Sequence, residues 1–251
     1  MSPGVPATGR PHIGYQGDIP LAGRRRYFER VLIAEDLLLL LADEAGTLGE
    51  RSRLSLGLAG ALVLELTLSG RVDLAAEPPP ERLVTVDTSP TGDDVLDEAL
   101  AVIGETEQRR PSQALRLLGD RLQDQLLARL VERGLLRQAD TAVLGMLPRA
   151  DWPTQDLTHE RELCAAVEDT LIRDAAPQPA SGALIALLAA LDRVHVALAP
   201  GQFGMTVAQI AERARAVTPD RWAPPPLRSA LEAILDSVAD AAGTSRTSSH
   251  A

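Results

Sequence analysis

Leu32-Ile33-Ala34-Glu35-Asp36-Leu37-Leu38-Leu39-Leu40-Leu41 is the stretch that decides the fold. At 3.6 residues per turn, five consecutive leucines cover every face of a helix, so residues 37–41 have no side to offer solvent. A helix expected over 28–43 therefore runs through the inside of the molecule as its central core helix. Neither this run nor the apolar run at 183–191 approaches the ~20 residues needed to cross a bilayer. Contact with a membrane, where it occurs, is expected to be peripheral.

Outward from this core the pattern stays helical. A second helix, expected over 53–69, stops at Gly70 and is followed by two short β-like stretches, 71–74 and 82–88, joined through Pro78-Pro79-Pro80. The same order returns with a helix over 121–133, Gly134, and apolar stretches at 135–138 and 142–147. Leu64 to Val72 and Leu127 to Leu135 read as the two halves of this echo. Between the two units, Thr91-Gly92-Asp93-Asp94-Val95-Leu96 starts a further helix. Thr91 or Asp93 can accept hydrogen bonds from first-turn amides, and the acids suit the positive end of the helix dipole. Helices near 158–172, 181–198, 207–217 and 226–242 complete the chain. The fold class expected is mainly α: a compact helical bundle around a buried central helix, with one or two short β-hairpins. Gly and Pro without periodicity over 1–26, and a small polar tail over 243–251, read as disordered ends of a single domain spanning 27–242.

The 251 residues carry 25 basic and 35 acidic groups, a net charge of -10. Such a surface repels nucleic acid and anionic bilayers as a whole, so any anion must be met by a local patch. Every basic residue is arginine and asparagine is absent, a bias expected of a GC-rich bacterial genome such as an actinobacterial one. One cysteine, Cys164, excludes an internal disulfide, and no Cys/His cluster has the spacing of a metal site. With no secretory leader pattern at the N-terminus, a cytoplasmic protein is expected, peripheral at most on the inner face of the membrane.

Catalytic motifs are missing. There is no G-x-S-x-G elbow, and His159-Glu160-Arg161-Glu162-Leu163 lacks the second histidine of a zinc-protease helix. Without lysine no P-loop is possible. Asp93 and Asp94 are explained by helix capping, and His195 is expected as a partly buried helix residue. The chain is read as a non-enzyme that uses neither cofactor nor metal. Planar guanidinium groups bind phosphate with two parallel hydrogen bonds, which singles out Arg51 and Arg53 at the second helix and Arg121 at the later one. Arg24-Arg25-Arg26 beside Tyr27 and Phe28 is another basic cluster. Val143, Leu144, Met146 and Leu147, with Trp152 nearby, form an apolar hairpin tip suited to a bilayer or a partner, or to burial in the core.

Leu32 to Leu40, Gly57-Leu58-Ala59-Gly60 leading to Leu64-Glu65-Leu66-Thr67-Leu68-Ser69-Gly70-Arg71-Val72, Pro90-Thr91-Gly92-Asp93-Asp94-Val95-Leu96-Asp97-Glu98-Ala99-Leu100 and Leu130-Val131-Glu132-Arg133-Gly134-Leu135-Leu136 together resemble the Golgi phosphoprotein 3 family over about 27–242. The resemblance implies a helical fold around one buried helix, with a projecting hairpin at 139–148. It also implies an adapter that is not an enzyme: eukaryotic members bind phosphatidylinositol 4-phosphate and retain glycosyltransferases. The partner expected is an anionic phospholipid headgroup or membrane surface, with no nucleic acid. The family's headgroup positions, a Trp and three Arg, fall on Glu50, Ala59, Asp120 and Gln123, which leaves Arg51, Arg53 and Arg121 as the nearby candidates. The alternative is a cytoplasmic protein-interaction module of the same fold that has lost headgroup specificity and uses the hairpin for a protein partner or self-association.

Overall fold

A computed structural model of the chain describes residues 31–42, 51–75, 82–105, 110–119, 122–141 and 149–243, and only the backbone at 140, 141 and 149–151. The expected arm over 1–26 lies outside the described residues, as does all but Gly243 of the expected tail. Helix α1 spans Ile33–Leu41. It begins there because two carboxylates take up its first amides: Leu32 N donates to Glu35 Oε2 at 2.8 Å and Ile33 N to Glu65 Oε2 at 2.9 Å. All its residues except Asp36 are buried, as the leucine run requires.

The centre is shared, however, with α2, Arg51–Leu68. Helix α2 is buried over all of 57–67 and packs against α1 and five helices introduced below, so two helices rather than one form the hub. Gly57 and Gly60 bring it close to its neighbours. A Cβ at these positions would fall 2.6 Å from Leu191 Cδ1 and 2.5 Å from Val238 Cγ2, so those side chains would have to shift to admit one.

Helix α2 closes with a left-handed Gly70 (φ 72°), Gly70 N donating to Thr67 O at 3.0 Å and Arg71 N to Leu66 O at 2.8 Å. This is the Schellman pattern. The antiparallel pair β1 (Val72–Leu74) and β2 (Leu83–Thr85) follows, with Val72 opposite Thr85. Helix α3, Asp94–Glu105, then starts on Asp93, whose Oδ1 accepts from Val95 N and Leu96 N.

Helix α4, Pro111–Gly119, is absent from the sequence reading, which passes from α3 directly to a helix at 121–133. Its start signal is a proline at the first helical position, where a missing N–H costs nothing. Its apolar stripe is only Ala114, Leu115 and Leu118, too short to stand out.

Helix α5, Leu122–Glu132, ends as α2 does: Gly134 has φ 71°, Gly134 N donates to Val131 O and Leu135 N to Leu130 O, both at 2.9 Å. The echo is therefore real, but one residue out of the expected register. Gly70 corresponds to Gly134, which pairs Leu66 with Leu130 and Glu65 with Arg129. The second antiparallel pair is β3 (Ala139–Thr141) with β4 (Arg149–Asp151), not a strand at 135–138. Leu135 and Leu136 are occupied in closing α5, and Leu136 is a buried plug that makes a single bridge to Thr154. The strand expected at 142–147 lies outside the described residues.

Helices α6 (Leu157–Leu171), α7 (Pro179–Ala190), α8 (Val194–Ala197), α9 (Val207–Arg215) and α10 (Arg228–Ala241) complete the bundle. The neighbours of α2 besides α1 are α3, α4, α5, α7 and α10. The single helix expected over 181–198 is broken because Asp192 turns left-handed at φ 56°. The architecture is thus a mainly helical bundle around buried helices with two short hairpins. Among the described residues no helix is long and apolar enough to cross a membrane.

Candidate functional site

The first turn of α2 carries Arg51 and Arg53 and no acidic residue. Unpaired amides make that end of a helix positive, so each cation there stands on the unfavourable end, at a cost of about 0.3–1 kcal/mol. Helix α5 packs against α2 and has Asp124 in its own first turn, on the favourable end. Arg51 Nη2 lies 3.1 Å from Asp124 Oδ1, and the two side chains are 69% and 61% exposed. An exposed pair of this kind is worth about 0.2–1 kcal/mol. Arg53 is half-buried. Arg51 and Arg53 thus share one turn of α2 beside the start of α5, while Arg121 lies outside the described residues.

Of the four positions that resemblance assigns to the headgroup, Ala59 is fully buried on α2, and Gln123 on α5 is 8% exposed with no hydrogen-bond partner for its Oε1. Neither supplies a cation. Glu50 and Asp120 lie outside the described residues, as do Val143, Leu144, Met146 and Leu147. Trp152 is half-buried and packs against the core. His195 is exposed on α8, where the sequence reading has it partly buried: α8 is a single turn, and Val194 and Ala197 take its inward face.

The strongest electrostatic feature was only half visible in sequence. Glu35 is completely buried. Arg129 Nε donates to its Oε1 at 3.2 Å and Arg133 Nη1 to its Oε2 at 3.3 Å, while the two Nη atoms of Arg129 grip Asp93 at 2.8 and 2.7 Å. Burial pushes the Glu35 carboxyl above its ordinary value, against the pull of the Leu32 amide and the two arginines. At Asp93 burial is outweighed by the hydrogen bond and charge of Arg129 and by the Leu96 and Val95 amides, so its carboxyl is held below the usual range. The group therefore fastens α1, α3 and α5 together, and its charges are spent on one another. The capping role read for Asp93 accounts for one half of its oxygens' contacts; Arg129 accounts for the other.

His159 Nε2 meets Asp36 Oδ1 at 2.7 Å, which joins α6 to α1. Cys164 is half-buried, and burial with the nearby Glu160 charge raises its thiol above the ordinary value, the opposite of an activated nucleophile. Among the described residues no group of three His, Cys, Asp or Glu side chains is placed to hold a metal ion.

A family model for Golgi phosphoprotein 3 (GPP34) matches residues 33–234, from the first residue of α1 into the middle of α10. The chain belongs to the Golgi phosphoprotein 3 family. No curated protein matches it. The four motifs that carried the resemblance within this Golgi phosphoprotein 3 domain now have physical roles. Glu35 and Arg133 belong to the buried charge network, Gly57 and Gly60 permit close helix packing, Asp93 caps α3, and Gly70 and Gly134 close α2 and α5.

Proposed function

We propose that this Golgi phosphoprotein 3 family member is a peripheral membrane adapter, not an enzyme, whose α2–α5 corner binds the phosphate of an anionic lipid headgroup through Arg51, Arg53 and Arg121. Phosphatidylinositol 4-phosphate, the ligand of eukaryotic members of the family, is the first lipid to test. One observation carries the reading. Arg51 and Arg53 occupy the first turn of α2 without an acid of that turn, a placement unfavourable for the helix and favourable for an anion, since backbone amides and guanidinium groups then act together. The location agrees with the region the family uses, the start of the second helix and the helix before the hairpin.

The test is sedimentation of the full chain with vesicles containing phosphatidylinositol 4-phosphate, compared with neutral vesicles. Replacing Arg51, Arg53 and Arg121 together by Ala should lower binding at least ~10-fold, the effect of losing about 1.4 kcal/mol. The triple variant should unfold at the same temperature or slightly higher, because two cations leave a positive helix end. Unchanged vesicle binding would remove these arginines from the site. The second reading, a protein-interaction module that has lost lipid recognition, is favoured by Ala59 and Gln123 at family headgroup positions. It predicts no vesicle binding at any salt concentration between about 0.01 and 1 M.

A further inference from the structure

Helix α6 is held to the bundle unlike the others. In each of the other helices of nine or more residues the first buried residue falls within the first four positions; in α6 it is Val167, the eleventh. Ahead of Val167, Leu157 is 47% exposed, and Leu163 and Cys164 are only partly buried against the core. With so little apolar surface covered, the first half of α6 belongs to the weakly held part of the fold. The 2.7 Å contact of His159 Nε2 with Asp36 Oδ1 on α1 carries correspondingly more of its attachment. The same half of α6 carries the base of the β3–β4 hairpin. Arg137 N donates to Pro153 O at 3.1 Å and Gln155 N to Leu135 O at 2.8 Å, Leu136 bridges Thr154 between them, and Asp156 then caps α6 by accepting from Thr158 N at 2.8 Å. On the α5 side this base is anchored by the buried Leu136. On the α6 side Trp152, Pro153 and Thr154 are half-buried and Gln155 and Asp156 exposed, so the returning strand depends on the start of α6 for its place.

We propose that His159 and Asp36 form a proton-controlled latch: the imidazolium clasps the start of α6, and with it the returning strand of the hairpin, onto α1, and loss of the proton loosens both. The charges around the ring fix the direction. Helix α6 packs against α1, α7 and α9. From α1 the ring meets Asp36, while the Glu35 beside it is spent on Arg129 and Arg133. On the ring's own side Asp156 and Glu162 add negative charge, and Glu160 lies beside Cys164. Helix α7 has no titratable side chain. Of the α9 cations, Arg213 sits on Leu171 O at the opposite end of α6 and Arg215 pairs with Asp192. A histidine released from this setting titrates near 6.5, and the closed latch holds its proton to higher pH. The extra closure is therefore complete below about 6.5 and is lost as pH rises through the closed-state value. A neutral ring still donates one hydrogen bond to Asp36, so the latch slackens rather than disappears. The device is independent of the arginine corner.

The experiment is amide hydrogen exchange of the full chain across pH 5.5–9, expressed as protection relative to the free-chain rate at each pH, for the wild type, His159→Gln and Asp36→Asn. Gln keeps a neutral donor at position 159, so the comparison isolates the proton. Amides of 161–166 are expected to be about 5-fold better protected in the wild type than in His159→Gln at the acid end, and equal within about 2-fold at the alkaline end. Asp36→Asn should remove the same pH dependence. In the wild type these amides should open at least about 10-fold more readily than those of 62–66 in the buried α2, which sets the opening apart from global unfolding. Gln155 N, whose bond to Leu135 O closes the hairpin base, should follow the pH course of 161–166. A ratio of wild type to His159→Gln that stays constant with pH overturns the latch, since His159 then acts by shape alone. Joint exchange of 161–166 with 62–66 overturns it too, because no separate opening exists for a proton to control. Protection at Gln155 that ignores pH while 161–166 responds overturns the tie to the hairpin.

Discussion

Arg129 spends its whole guanidinium on two carboxylates from different helices, Nε on the buried Glu35 of α1 and both Nη atoms on Asp93 at the start of α3. Removing one partner of a buried charge network costs far more than the pair contributes, because the remaining charge stays in a medium that does not solvate it. Arg129→Leu should therefore lower stability by roughly 3–5 kcal/mol, read as a drop in the urea midpoint at unchanged slope. Arg116→Leu, on an exposed position of α4, should change it by less than about 0.5 kcal/mol. A loss below about 1 kcal/mol at Arg129 would mean that Arg133 alone satisfies Glu35. In sequence, Asp93 was legible because a cap and the amides it serves are adjacent. Arg129 was not, since the carboxylates it joins lie 36 and 94 residues away and no local pattern announces such a partner.

Elements were legible where a long apolar period met a clear stop. The buried α1 and the glycine ends of α2 and α5 follow from leucine runs and from Gly70 and Gly134 alone. Short elements were not: α4 hides behind a three-residue stripe, and Leu135–Leu136 imitates a strand while closing a helix. The attachment of α6 to α1 belongs to this second kind, since His159 looked like a fragment of a metal motif and proves to be the α6 side of a 2.7 Å contact with Asp36. The hydrogen bond that His159 donates to Asp36 comes first in raising the imidazole above its ordinary value, with burial opposing and Asp36, Glu162 and Asp156 adding negative charge. A histidine whose folded value is raised contributes stability that is fully present below the unfolded value, near 6.5, and is lost as pH rises through the folded value. The stability of the wild type relative to His159→Gln should accordingly be greatest at the acid end of the range, below the unfolded value near 6.5, and decline as pH rises through the folded value. The pH-dependent part should be of the order of 1 kcal/mol. Asp36→Asn should flatten the profile. Thermal unfolding across pH 5.5–9 reads the difference, and a gap between the two proteins that stays constant with pH would show that His159 acts only by packing.

At the scale of the whole molecule, two charge distributions oppose each other. A net charge of -10 is repelled by an anionic bilayer, while the arginines at the start of α2 attract it, and the two act over different distances. Screening separates them. At about 0.01 M salt the Debye length is about 30 Å, so the bilayer meets the net charge of the protein; at about 0.1 M it is about 10 Å, so the bilayer meets mainly the charges nearest to it. Above that, the local attraction is itself screened. Binding to vesicles containing phosphatidylinositol 4-phosphate should therefore rise between about 0.01 and 0.1 M salt and fall towards 1 M. A protein held by a uniformly basic surface would instead decline throughout. The position of the maximum also tests the arginine corner: in Arg51→Ala the attractive arm weakens while the net repulsion grows by one charge, so the peak should become lower and move to higher salt. A monotonic fall from the lowest salt in the wild type would mean that the local field prevails at every distance, and that the net charge is carried on a face turned away from the membrane.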